Sequence, residues 1–265
     1  MARSGGENMA IDEYLIEWCC RTGRPAARFY AWQPASVSIG RYQSIACLDR
    51  AACRSMGINI VRRITGGGAI YHDREITYAI ACPEEMARGG DGTISESYRR
   101  INAFIMNTYR GLGLHPHYAK EAGALIACGP SDFCFCGNEA CDIIIAGKKI
   151  GGGAQRRTRG VVLQHGSLPY AIDRERVARC FTVDIDNRRF ASLEELIERP
   201  VKPDELLNIL IASLAFSMGW EMAEEPLSEE EEALIQSLAR ERYSSDEWNI
   251  AGEELRHDAP KAVLA

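Results

Sequence analysis

Several familiar signals are missing from this 265-residue chain, and each absence excludes something. No apolar run approaches the ~18 residues that a membrane-spanning helix needs, and the opening MARSGGEN lacks the apolar core of a secretory signal. There is no internal repeat, and the only biased run is the acidic stretch from Glu229 to Glu232, so a repeat architecture is not expected. The spacing of a phosphate-binding P-loop is absent, as is the glycine fingerprint of dinucleotide-binding folds. A formal net charge of −6 argues against nucleic acid as the main ligand. Ten cysteines without a secretory signal fit reduced thiols in a cytosol better than a disulfide framework. A chain that is 46% hydrophobic and 26% charged can still bury a substantial core, as one large domain or as a domain with a small helical extension.

What is present begins with RRITGGGAIYHD, from Arg62 to Asp73. Gly66, Gly67 and Gly68 can reach positive φ and carry no Cβ, so their N–H groups can line a cradle for an anionic or acyl-carbonyl group. Ile58 to Val61 reads as a buried strand, and Ile76, Tyr78 and Ile80 alternate with Thr77 and Ala79 as a second. The glycines therefore fall in a strand-to-strand bend. Taken alone, a triple glycine also fits a plain tight turn.

A second constellation, DFCFCGNEACDIIIAGKKIGGGAQRRTRGVVLQHGSL, runs from Asp132 to Leu168. It reads as a β-meander: Asp142 to Ala146, a turn at Gly147-Lys148, a return from Lys149 to Gln155, and a third strand from Val161 to Gln164. Cys134, Lys149 and His165 ride on it. Cys128, Cys134, Cys136 and Cys141 are separated by five, one and four residues, without the C-x₂-C pair usual in zinc knuckles, so no metal site is expected. Free cysteine often behaves as a small buried hydrophobe, and Cys141, beside the strand, fits that role. The local sequence does not single out which thiol reacts.

These segments resemble the lipoate-protein ligase and octanoyltransferase superfamily, whose catalytic fold is shared with biotin-protein ligases. The resemblance rests on RRITGGGAIYHD followed by EITYAI, the Cys134-Phe135 pair, GKKIGGGAQ and LQHGSL. It extends to NMAIDEYL (Asn8 to Leu15), RFYAWQPASVSIGRYQ (Arg28 to Gln43) and SSDEWN (Ser244 to Asn249). It implies an α+β fold of mixed β-sheets flanked by helices. The catalytic domain would span residues 1–252, mainly helical from about residue 190, with a frayed tail over 253–265.

Within that superfamily the chain is most similar to the cysteine-dependent octanoyltransferases, in which a cysteine ahead of the lysine-bearing hairpin forms an acyl thioester. The matching positions are Cys134 and Lys149. ATP-using lipoate ligases typically carry a Gly-Asn pair after the His-Asp, where this chain has Arg74-Glu75. The resemblance thus implies transfer of octanoyl from acyl carrier protein to a lysine of a lipoyl-domain protein, such as the glycine-cleavage H protein or a 2-oxoacid dehydrogenase subunit. No cofactor is implied, because octanoyl-phosphopantetheine arrives as substrate on its carrier. The alternatives are an ATP-dependent lipoate ligase, which would need ATP and magnesium, transfer between two lipoyl-domain proteins, and a non-catalytic acyl-binding protein. Two departures stand out. Gly153 replaces the serine of the family's G-S-A-Q, and only seven residues precede Asn8 where most relatives have a strand, so the sheet is expected to lack an edge strand or the start to be truncated.

The chemistry follows from the residue types. A free thiol of pKa ~8.5 is only slightly ionised at neutral pH, and a neighbouring ammonium such as that of Lys149 lowers it. Backbone amides of the glycine loop would stabilise the oxyanion formed on attack, at ~3 kcal/mol per donor. The expected substrate-binding set is Arg63, Gly66, Gly67, Gly68, His72, Gly152, Ala154, His165, Gly166 and Ser167. His72 and His165 fit either a direct contact or a structural hydrogen bond, and Arg62 and Arg63 either clamp a phosphate of the donor's phosphopantetheine or brace the loop. His115, His117 and His257 are expected to be solvated. Arg99-Arg100, Lys148-Lys149 and Arg156-Arg157-Arg159 are candidates for docking an acidic carrier.

The rest reads as helices packed on the sheet. Asn8 to Trp18 places Ile11, Tyr14, Leu15 and Trp18 on one face. Capping-box signals at Thr93 with Glu96, Ser192 with Glu195 and Ser228 with Glu231 start three more helices, and Pro203 starts another that reaches Met218.

Overall fold

The computed structural model of the protein describes residues 2–88, 92–121 and 140–250. In chain order its elements are β1 (Ala2–Arg3), α1 (Gly5–Thr22), β2 (Ala26–Trp32), β3 (Ser36–Ile39), α2 (Arg50–Ser55), β4 (Asn59–Arg62), β5 (Ile70–His72), β6 (Glu75–Pro83), α3 (Glu84–Ala87) and α4 (Ile94–Gly111). The remainder are β7 (His117–Tyr118), β8 (Ile143–Ile145), β9 (Lys148–Lys149), β10 (Gly152–Thr158), β11 (Val161–Pro169), α5 (Arg174–Cys180), α6 (Leu193–Ile197), α7 (Pro203–Met218), α8 (Glu229–Leu238) and α9 (Asp246–Asn249). A five-stranded sheet of order β1-β2-β6-β11-β10 carries the molecule, with two three-stranded sheets, β4-β3-β5 and β7-β8-β9, beside it. This is the α+β architecture of mixed sheets and flanking helices expected from the sequence, and the C-terminal part is helical.

The alternation along β6 divides the strand between two cores. Ile76, Tyr78, Ile80 and Cys82 pack with Ile101, Phe104 and Ile105 of α4 on one face, while Ala79 and Ala81 meet Ile11, Leu15 and Ile16 of α1 on the other. Side chains of a strand point alternately to opposite faces. Here both faces are covered, and β6 and β11 are buried almost throughout. A third core joins the β4-β3-β5 sheet to α2 and α5 through Val37, Ile39, Cys53, Val177 and Cys180.

The helix boundaries have local causes. Ser4 and Glu7 form a reciprocal capping box at the start of α1, and Gly23, with φ 68°, ends it in the left-handed conformation. Thr93 Oγ1 accepts from Glu96 N at 3.2 Å, Glu195 accepts from Ser192 N at 2.9 Å, and the acidic run Glu229–Glu232 opens α8 behind a Ser228–Glu231 box. Helix α7 covers Pro203 to Met218 as its sequence signals indicate, and lays Leu206, Leu210, Leu214 and Met218 into the α4 core. Helix α8 and the π-helical turn Ala239–Tyr243 pack on α1. Tyr14 Oη donates to Glu231 at 2.6 Å, and Arg242 and Tyr243 donate to Glu13 at 2.5 and 2.7 Å.

Two expectations need correction. A two-residue edge strand does precede the first helix: β1 pairs in parallel with β2, Ala2 opposite Ala31. The stretch from Asp142 to Gln164 is not one continuous meander. Its first turn falls at Ala146-Gly147, where both residues have positive φ, and β8 pairs with β9 for only two residue pairs. The chain then passes through Ile150 and Gly151 into a different sheet, where β10 pairs with β11 over seven residues. Gly151 makes the switch possible: at φ 98° it lies where a Cβ would come within 2.4 Å of Ser167 O. The expected frayed tail, 253–265, lies outside the described residues.

Candidate active site

Strand β4 ends at Arg62, Arg63 follows it directly, and both arginines are buried. Arg62 is fully buried and braces the fold. Its guanidinium donates to the carbonyls of Gly40 and Gln43 at 2.8 and 2.7 Å and to Trp248 and Asn249 of α9 at 3.0 and 3.1 Å. Its own amide donates to Asn249 Oδ1 at 2.8 Å. The phosphate-clamp alternative for Arg62 is thereby overturned. Arg63, 2% exposed, donates to Gly66 O at 2.7 Å, Gly68 O at 2.8 Å and Ser38 O at 3.0 Å, so it holds the glycine loop by its carbonyls. The amides of Gly66, Gly67 and Gly68 donate no hydrogen bond among the described residues. Gly67 has φ 91°, and Gly40 packs so close that a Cβ there would fall 2.0 Å from Gly67 O. The loop is rigidly backed, with its middle exposed.

Two histidine networks lie behind the loop. His72, at the end of β5, stacks on Trp32 with ring centroids 4.0 Å apart. Its Nε2 meets Ser38 Oγ and its Nδ1 meets Glu75 Oε1, each at 2.7 Å. Ser167 donates to Glu75 Oε2 at 2.5 Å; Thr77 donates to Glu75 Oε1 and in turn accepts from Trp32 Nε1 at 2.7 Å. Burial pushes the Glu75 carboxyl towards protonation. The charge of His72 and the hydrogen bonds from His72, Ser167 and Thr77 outweigh that and hold it below the usual carboxylate range. His165, on β11, contacts Thr65 Oγ1 through Nε2 and Asp12 Oδ2 through Nδ1, both at 2.7 Å. Asp12 also accepts from Tyr30 at 2.8 Å and Arg28 at 3.1 Å. Both histidines thus have both ring nitrogens engaged, and each ties the site to a distant segment.

Arg63, His72, Ala154, His165, Gly166 and Ser167 line one narrow cavity with Trp32 and Ser38, with about 20 Å³ of accessible space, close to that of one water. Ser167 also lines a neighbouring cavity of the same size bounded by Asp142, Gly152 and Tyr78. Antiparallel pairing sets these residues opposite one another: Gly152 with Ser167, Gly153 with Gly166, Ala154 with His165. Gly166 is required by packing, since a Cβ would lie 2.6 Å from Tyr78 Cε1 and 2.7 Å from Gly152 O. At Gly153, where the family has serine, a Cβ would come within 3.2 Å of Tyr78 Oη, a tight contact that asks the tyrosine to shift by a few tenths of an ångström.

Lys149 is 1% exposed and donates to Asp142 Oδ2 at 2.6 Å. Its amide donates to Arg189 O and its carbonyl accepts from Ala191 N, which locks the short β9 against the 189–191 segment. Asp142, Asp12 and Thr65 were not on the expected list. Asp12 had a visible signal, a carboxylate amid the apolar face of NMAIDEYL, and Asp142 stands at the other arm of the lysine hairpin. Cys134, with Cys128 and Cys136, lies outside the described residues. Cys141 is half-buried, with Sγ 3.4 Å from Ser95 Oγ. His115 and His117 are both exposed, the latter on β7, while His257 falls outside the described range.

The proposed basic docking surface is largely neutralised. Arg99 pairs with Glu121, Arg157 with Glu84, Arg159 with Glu17 and Lys149 with Asp142, at 2.6–2.8 Å. Arg100 donates to Met86 O at 2.8 Å. Paired charges present little net field to a partner.

An exposed glycine loop backed by Arg63, two histidine–carboxylate networks and a buried lysine thus gather around closely paired strands. Residues 4–215 match the lipoyl protein ligase A/B catalytic domain, and the chain belongs to that family. It is 34% identical over 262 residues to the protein named Octanoyltransferase LipM from Geobacillus kaustophilus strain HTA426, covering 92% of this chain and 93% of that one. With the protein of the same name from Bacillus subtilis strain 168 it shares 33% identity, covering 91% and 92%. Among solved structures it resembles lipoate-protein ligase A bound with ATP, at TM-score 0.78 and 26% identity over 96% of this chain and 97% of that one. It also resembles the bi-partite lipoate protein ligase of Thermoplasma acidophilum, at TM-score 0.76 and 26% identity over 100% and 97%.

Proposed function

We propose that this protein is an octanoyltransferase of lipoate biosynthesis that takes octanoyl from acyl carrier protein onto Cys134 as a thioester and passes it to a lysine of a lipoyl-domain protein. The observation that carries this reading is similarity over more than nine tenths of both chains to proteins named octanoyltransferases. The lipoyl-domain acceptor is in keeping with the Thermoplasma ligase, described together with its E2 lipoyl domain.

In the proposed reaction the Cys134 thiolate attacks the octanoyl thioester carbonyl, the carrier thiol leaves, and the acceptor lysine amine then displaces Cys134 to give the amide. Lys149, held at 2.6 Å by Asp142, supplies positive charge for the thiolate and the oxyanion. Arg63 fixes the loop whose free amides face the reacting carbonyl. His72 and His165 position Ser38, Glu75, Thr65 and Asp12. No cofactor enters, and transfer between two lipoyl-domain proteins would use the same residues.

The test is intact-mass measurement after incubation with octanoyl-acyl carrier protein and no ATP, with Cys134→Ala alongside. A hydroxylamine-labile octanoyl adduct on the wild type alone is expected. No adduct while the carrier stays loaded would transfer the assignment to an ATP-dependent ligase.

A further inference from the structure

Two arginines at the rim of this site have no carboxylate to face. Arg157, next to Arg156 on β10, and Arg159, in the turn that follows, are paired with Glu84 and Glu17, and Arg242 with Glu13. Arg41 and Arg156 face no carboxylate among the described residues, and Arg41 Nη1 is buried without a hydrogen-bond partner. A buried donor on a permanently charged group is seldom left open unless something else occupies it. The Arg41 guanidinium lies 3.9 Å above the Trp248 ring, and that ring is fixed in turn by its own N–H donating to Arg62 O at 2.8 Å.

The two arginines are anchored on adjacent residues. Arg41 N donates to Thr65 O at 2.7 Å and Arg156 Nη1 to Ile64 O at 3.0 Å. Those residues lead directly into Gly66, where three successive amides are without acceptors. Arg156 is two residues from Ala154 on β10, hence on the same face, and Ala154 lines the cavity. Burial and the nearby Arg156 and Arg242 all work against the Arg41 charge, partly offset by Tyr42. A bound anion would reverse that imbalance.

We infer that Arg41, Arg156 and the amides of Gly66–Gly68 form a phosphate-ester subsite at the mouth of the acyl cavity, occupied by the phosphate of the donor's pantetheine arm. This rests on the proposed thioester donor. It moves the phosphate contact from Arg62 and Arg63, which are committed inside the fold, to arginines left open at the rim. Arginine–phosphate contacts are charge-assisted and can be bidentate, and two of them give at least about a tenfold preference.

The experiment compares octanoyl-phosphopantetheine with octanoyl-pantetheine as donors to a lipoyl domain, the two differing only in the phosphate. The wild type is expected to favour the phosphorylated donor by about tenfold or more in kcat/KM. Arg41→Gln and Arg156→Gln should each bring that ratio towards one through KM, and Arg41→Lys should restore part of it. Wild-type inhibition by phosphopantetheine but not by pantetheine gives the same answer without any variant. Equal use of both donors by the wild type, or a ratio unchanged in the variants, overturns the subsite. Failure of the wild type to use either donor overturns the octanoyltransferase reading instead. Octanoyl-adenylate used in preference to both, with that preference lost in Arg41→Gln, would assign the subsite to a nucleotide phosphate and overturn the donor-arm assignment.

Discussion

A carboxylate sealed from water normally takes up a proton, yet Glu75 stays ionised because His72, Ser167 and Thr77 converge on it. Its folded pKa lies below the ordinary value of 4.5, so the stability it confers is complete above that value and is lost as pH falls through the lower folded pKa. Thermal melts of the wild type should therefore drop on the acid side, below about pH 4.5. Glu75→Gln should melt lower at neutral pH, with a flatter acid limb. An acid limb of unchanged steepness in the variant would show that other groups govern it. At the same scale, the two buried histidines act less as solitary reactive groups than as joints. His72 finds Glu75 three residues on and Ser38 on β3, whereas His165 reaches back to Asp12 of α1, a pairing that no local pattern announces.

Helix α7 shows what a single element contributes. Leu206, Leu210, Leu214 and Met218 recur every four residues and pack against α4, while Ile209 and Ile211 are each 36% exposed. Leu210→Ala should cost ~2–5 kcal/mol in chemical denaturation, and Ile211→Ala should stay within about 0.5 kcal/mol. Equal losses would mean the helix is buried differently. The limits of α7 were legible in the sequence because its signals are local: proline in the first turn and Gly219 at the end, with φ 67°. The strands were less so. Lys149 to Gln155 carries one unbroken pattern, and only the close approach of Gly151 to Ser167 O makes the chain change sheets there. Strand β1 is two residues long and paired to a distant partner, with no periodicity to reveal it.

In the whole molecule, α1 packs with α8 and the π-helical turn, and α9 packs between that turn and β4. Residues Gly66–Gly68, Lys149 and the His165-Gly166-Ser167 stretch of β11 could be picked out as a group because glycine and reactive residues cluster there in the sequence. What braces them could not, because α1, β4 and α9 meet only after folding. Asn249 is the clearest case, accepting from Arg62 N and donating to Tyr243 O, both at 2.8 Å. Asn249→Ala leaves a buried amide unanswered and should cost ~1–3 kcal/mol in unfolding experiments, together with weaker transfer activity as the glycine loop loses its backing. Unchanged stability and activity would show that Trp248 suffices.

The match to the family's catalytic domain stops at residue 215, while the groups that satisfy the Arg62 guanidinium and amide from the C-terminal side are Trp248 and Asn249. A minimal fragment drawn at that family boundary would carry every residue assigned to the chemistry and still abandon a fully buried cation beneath the substrate loop. The folding unit that keeps this loop in place is therefore longer than the family domain's boundary, and agrees with the whole-chain similarity to the octanoyltransferases instead.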